Sequence, residues 1–116
     1  MTDRKQKTHV LPDCLGKGQK LVDLIEYSKD SIVSKTLLDK SAGTITLFAF
    51  DQGQKLSEHT APYDAVVQVL DGKAQMRIAD EASELSEGQL IIMPANVPHA
   101  VNAAGRFKML LTMIRA

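Results

Sequence analysis

Residues Gly88 to Ala103 read GQLIIMPANVPHAVNA, and this stretch decides how the rest of the chain is read. Pro94 and Pro98 exclude a helix, because proline fixes φ and has no N–H to give to a neighbour. An apolar strand over Leu90–Met93 therefore runs into a stiff turn, and a second strand begins at His99. The turn delivers that histidine to the mouth of a sheet, where a side chain can be aimed.

The internal spacing is specific. Gly88 is followed after five residues by Pro94, then Asn96 one residue on and His99 two residues further. Upstream, Gly53 is followed after five residues by His59, then by Ala61, Ala65 and Gly72 at gaps of one, three and six residues. The two patterns, separated by the fifteen residues Lys73–Glu87, resemble the paired motifs of the cupin superfamily. Asn96 stands where the family usually has glycine, and asparagine is among the residues that best tolerate the left-handed backbone region. The family's closing asparagine is here Ala103, with Asn102 one place early and on the opposite side of a regular strand.

The resemblance implies an all-β fold, a double-stranded β-helix or jelly-roll barrel, with the two motifs forming its pocket and two copies pairing as a homodimer. It also implies a divalent transition metal (Zn, Fe, Mn, Ni or Cu) at the positions of His59 and His99. A second histidine and a glutamate would complete that site, but this chain has Ala61 and Ala65 there. Asp64 could supply a third ligand if its strand carried a bulge, since one extra residue reverses which side chain faces inward. A thioether from Met76, Met93, Met109 or Met113 could also do so, and soft sulfur beside two imidazoles favours copper over iron or manganese.

Length and composition bound the reading further. A chain of 116 residues builds one core and not two. The formal net charge is zero and aromatic residues make up 4% with no tryptophan, so neither a phosphate-binding footprint nor a base-stacking surface is expected. Cys14 is the only cysteine, which excludes an intrachain disulfide and points to a reducing compartment. The N-terminal MTDRKQKTH lacks an apolar signal segment, and no window is long enough to span a bilayer. These features predict a cytoplasmic protein with neither nucleic-acid nor membrane partners.

In chain order, residues 1–19 read as a polar tail and loop and 20–116 as the single domain. Met1–Thr8 is expected to fray, and His9 reads as a solvated tail histidine. Lys20–Tyr27, KLVDLIEY, fits helical spacing at Leu21, Val22, Leu24 and Ile25 but is too short to decide between a strand and one or two helical turns; the resemblance to small cupins implies a strand added to a sheet edge, often that of a partner subunit. Strands follow over Ser31–Leu38 and Thr44–Phe50. The second of these is apolar on both faces, which calls for cover from a second sheet or a neighbouring subunit. Alternation over Gln54–Thr60 places Ser57, His59 and Ala61 together, with Leu56 and Glu58 opposite. Asp64–Leu70 turns Ala65, Val67 and Val69 inward, Asp71-Gly72 signals a type I′ hairpin into Ala74–Ile78, and further strands cover Ser83–Ser86 and Arg106–Ile114. Turns every eight to twelve residues suit a sandwich or barrel.

Two function classes remain. In one, the barrel binds a small molecule through His59, His99, Val67 and Met76, with or without a divalent metal. In the other it is a metal-dependent enzyme of dioxygenase or isomerase type. No nucleophile elbow, phosphate loop or CxxC pair is present to suggest different chemistry.

Overall fold

The computed structural model describes residues 8–116; most of the expected tail, residues 1–7, lies outside the described residues. Nine strands are formed among these: β1 (His9–Val10), β2 (Ile32–Lys40), β3 (Gly43–Phe50), β4 (Lys55–His59), β5 (Asp64–Ile78), β6 (Glu81–Ser86), β7 (Leu90–Met93), β8 (His99–Asn102) and β9 (Phe107–Ile114). Pairing is antiparallel throughout. One sheet runs β1-β2-β3-β9-β5-β7 and the other β6-β5-β8-β4. This is the double-stranded β-helix expected from the sequence. No helix among the described residues is long and apolar enough to cross a membrane.

β5 is what joins the sheets. Its first half pairs with β7 and β9, and its second half, from Lys73 on, pairs with β6 and β8. The expected hairpin at Asp71-Gly72 is therefore not formed: the strand continues, bent by a register shift between Val69 and Asp71. Gly72 keeps the positive φ of 74° that a hairpin would have used, but spends it inside a strand. A Cβ at this position would collide with the carbonyl oxygen of Arg106 and with Phe107. Asp-Gly signals only that φ is positive, and a bulge satisfies that as well as a turn does.

Between the sheets lie Phe50, Val67, Val69, Ala74, Met76, Leu85, Val101, Phe107 and Met109, all buried. The Phe50 and Phe107 rings stack with centroids 4.5 Å apart and planes 15° apart. A second cluster covers the outer face of β3: Leu47 and Ala49 pack under Ile25, with Leu21, Leu24 and Tyr27 around them. In the run Thr44–Phe50, Thr44, Ile45, Thr46 and Phe48 are partly buried, while Phe50 is covered by the opposite sheet and Leu47 and Ala49 by the chain's own N-terminal segment. That segment is not the expected edge strand. It makes a 3₁₀ turn over Leu21–Asp23, because its helical spacing sets Leu21, Leu24 and Ile25 on one side, as the i, i+3, i+4 pattern requires.

Lys108 Nζ donates to the Val22 carbonyl at 2.6 Å and Lys35 Nζ to the Leu24 carbonyl at 3.1 Å. These bonds satisfy backbone groups that the short turn leaves open. The Tyr27 hydroxyl donates to Asp71 Oδ2 at 2.6 Å, and burial first, then the Asp71 carboxylate, raises the pKa of that hydroxyl well above its ordinary value. His9–Val10 also belongs to the sheet rather than to a tail, since it pairs with Leu38 and Asp39 of β2; His9 is exposed.

Asp51, buried at the end of β3, accepts from Arg106 Nε at 2.7 Å and from the Asp30 backbone N–H at 2.7 Å. Asp30 itself has φ of 55°, so this carboxylate holds a left-handed turn in place. The Arg106 hydrogen bond, then those from the Asp30 and Gln52 backbone, lower its pKa from 3.8 to about 2. A carboxylate with a depressed folded pKa stabilises the fold above the unfolded value and loses that contribution as pH falls through the folded one. Stability is therefore expected to decline between about pH 4 and pH 2 in the native chain, and to be less sensitive to acid there in Asp51→Asn. Urea midpoints across that range check this; equal slopes in the two chains would refute it.

Candidate functional site

Two strand ends and one stiff turn assemble the site. His99 opens β8 after Pro98, and Asn96 in the preceding turn takes φ of 65°, as expected for a residue standing where glycine is usual. The Asn96 N–H donates to the Ala61 carbonyl at 2.7 Å, which ties the second motif to the first. His59 and His99 are register partners on β4 and β8. Their rings meet edge-to-face with centroids 4.3 Å apart and a 69° interplanar angle, and Nε2 lies 3.0 Å from Nε2.

The remaining ring nitrogens fix what the pair presents. His59 Nδ1 is 2.7 Å from the Ser57 carbonyl oxygen and His99 Nδ1 is 3.2 Å from that of Val97. A carbonyl can only accept, so a ring Nδ1 that faces one donates to it, while the 3.0 Å contact between the rings takes a proton on one of the two Nε2 atoms. His99 is buried and His59 is exposed at the mouth. Burial foremost, and the His59 ring to a smaller degree, push the His99 pKa below its ordinary value, against the Val97 carbonyl, which raises it.

The pair closes one end of a cavity of about 140 Å³ lined otherwise by Phe48, Leu56, Ala61, Ala65, Met93, Val101, Met109, Leu111 and Met113. Strict alternation fails on β4, where a register shift lies between Leu56 and His59. Two residues, Ser57 and Glu58, face the single Ala100 between their partners. Leu56 consequently joins His59 on the cavity side, and Ser57, expected beside His59, contributes its carbonyl instead. Val67 and Met76 were expected to contact a ligand. Both are buried in the core, but neither lines this cavity: Val67 faces inward deeper in the sandwich, and Met76 lies beyond the point where β5 passes to the other sheet.

Asp64 supplies no ligand, because the bulge in β5 falls at Val69–Asp71 and leaves Asp64 facing out, where its Oδ1 accepts from the Ala95 N–H at 2.8 Å. Asn102 faces away from the cavity and donates to Gln75 Oε1 at 3.1 Å. Cys14 lies in the N-terminal turn Pro12–Cys14 and is not among the lining residues. A larger groove of about 440 Å³ runs beneath Tyr27, but its cations are already engaged: Arg106 by Asp51 and Lys108 by Val22.

Comparison with known proteins agrees with this geometry. The family model of the cupin domain matches residues 46–115, more than half of the chain and both motifs. The chain belongs to the cupin superfamily. A conserved protein of unknown function from Streptococcus pyogenes is 37% identical over 86% of this cupin and 88% of its own length, with a TM-score of 0.82. A cupin superfamily protein from Desulfitobacterium hafniense is 28% identical over 95% and 99% of the two chains, with a TM-score of 0.85. A cupin 2 conserved barrel domain protein from Leptotrichia buccalis is 37% identical over 81% of this chain but only 46% of its own, with a TM-score of 0.78. No curated protein matches the chain.

The divalent metal implied for the family can be weighed against these donors. Such a site takes three or four nitrogen, oxygen or thiolate ligands. Among the described residues no group of three or more His, Cys, Asp or Glu is placed to hold a metal ion, and the two positions that would complete the set are Ala61 and Ala65. Two imidazoles in an apolar cavity do not fit a hard divalent ion.

Proposed function

We propose that this cupin binds a small, largely apolar organic molecule in the cavity behind His59 and His99. The observation that carries this reading is the pairing of an apolar space of about 140 Å³ with two convergent Nε2 atoms 3.0 Å apart. A dry apolar cavity of roughly 150 Å³ accommodates a molecule of the size of benzene. The two imidazoles are the polar groups of an otherwise apolar lining, so a single hydroxyl or acid group on such a molecule, able to donate or accept at a ring nitrogen, complements them. The metal-dependent enzyme has less support, because the donor set stops at two.

Titration of protein labelled with [¹³C]methyl-methionine tests the reading, using phenol, benzoic acid and isobutyric acid as probes. The Met93 and Met113 methyl resonances are expected to shift saturably with at least one probe, with dissociation constants of about 1 mM or tighter. His59→Ala should weaken that binding up to about tenfold, the value of one lost hydrogen bond. Methyl resonances that stay unmoved with all three probes would overturn it.

A further inference from the structure

We propose that Ala65 sets the shape of molecule this cavity admits, selecting small acids and alcohols that branch or close a ring next to the polar group over their straight-chain isomers. This rests on the small-molecule reading above and refines it. The strand registers divide the cavity lining into layers. On β4 and β8 the pair His59 and His99 is followed inward by the pair Leu56 and Val101. On the facing sheet Ala65 pairs with Met93 on one side and Met113 on the other. Leu111 and then Met109 follow Met113 on the same face of β9, and Met109 pairs with Phe48. The turn over residues 94–98 leads from Met93 to His99, and its Asn96 N–H donates to the Ala61 carbonyl at 2.7 Å. Ala61 and Ala65 therefore belong to the layer of the histidines.

Side-chain size changes with depth. The histidine layer holds two alanines, the next holds Leu56, Val101 and Leu111, and Phe48 and Met109 lie beyond. Direct partners in antiparallel strands point to the same face with Cβ atoms about 4.5–5.5 Å apart, so Ala65 leaves a notch between two long side chains. The notch does not continue along β5. Val67, the next residue on this face, is fully buried and outside the lining. The cavity is thus broadest beside the imidazoles and narrower behind them. Apart from the two histidines its lining is apolar, so the polar group of a ligand belongs at the imidazoles and its first carbons lie over Ala65. Bulk at those carbons fills the notch. A straight chain leaves the notch empty and forfeits the dispersion contacts that a filled space supplies.

Pivalic and valeric acids, isomers that differ only in branching, test this with the methionine methyl resonances as the readout and phenol and isobutyric acid alongside. Pivalic acid is expected to bind at least about tenfold more tightly than valeric acid, since one misplaced methyl or methylene in an apolar pocket is worth roughly 10–200-fold. Ala65→Val places methyl groups in the notch and should bring the two acids within about twofold of each other, by weakening pivalic acid. Ala65→Cys makes a smaller addition and should give an intermediate ratio, so the selectivity is read even where the valine chain does not fold. Equal affinities of the two acids in the native chain, or a preference unchanged by the substitutions, would overturn the proposal and leave the small-molecule reading standing. Absence of binding by every probe in the native chain would overturn that reading and this one with it.

Discussion

Gly72→Ala is expected to destabilise this cupin by on the order of 4 kcal/mol or more, enough to leave a small domain with a stability of about 5–15 kcal/mol poorly folded. Two effects combine. The residue sits at φ of 74°, where a Cβ costs roughly 1–2 kcal/mol. That Cβ also meets the Arg106 carbonyl oxygen and the Cα and Cβ of Phe107, atoms at the start of β9 that are fixed by its backbone pairing. Gly88→Ala separates the terms. Gly88 has φ of 86° but open space where a Cβ would lie, so about 1–2 kcal/mol is expected there. Urea denaturation of both variants checks the difference; equal losses would mean that the close approach of β9 is not what Gly72 protects.

Phe107→Ala should cost about 3–5 kcal/mol. The ring is fully buried and stacked on Phe50, and its backbone pairs with Phe50 on one side and Gly72 on the other. Removal deletes the aromatic pair as well as the buried area, and β5 and β3 are fixed on either side of the void, so collapse around it is limited. A Cβ at Gly72 would strike the Arg106 carbonyl oxygen and the Cα and Cβ of Phe107, atoms that Phe107→Ala keeps, so removing the ring leaves the strain of Gly72→Ala in place and the two losses should nearly add. Calorimetry of the single and double variants checks this, and a Gly72→Ala loss that largely disappears in the Phe107→Ala background would count against the packing described.

The fold and the two histidines were legible because the residues that carry them are punctuated by glycine and proline. Gly53, Gly72 and Gly88 all take positive φ, Asn96 takes the same region where glycine is usual, and Pro94 and Pro98 leave little choice for the backbone between them. The departures come where a local pattern is satisfied by more than one long-range arrangement. Asp71-Gly72 requires a left-handed residue but does not say whether the chain reverses there or runs on. The apolar residues Leu21, Leu24 and Ile25 mark a buried side without saying that a single 3₁₀ turn would present it. Period-two alternation carries no record of an added residue, so the bulge in β4 that brings Leu56 beside His59 was invisible, and Val67 and Met76 were assigned to a pocket whose floor lies nearer Ala65. The cross-strand neighbours of Ala65 depend on which distant strands pair with β5, and that is fixed only by the topology.

The placement of β9 between β3 and β5 bears on how the chain acquires this structure. Its C-terminal strand is a central member of the sheet, not an edge, so the two strands it separates cannot find their final spacing until residues 107–114 are available. Contacts of such wide sequence separation make folding slow. On the ribosome, the earlier strands must wait with their hydrogen-bonding edges unfilled, and this interval is when the nascent polypeptide is most exposed to association with its neighbours.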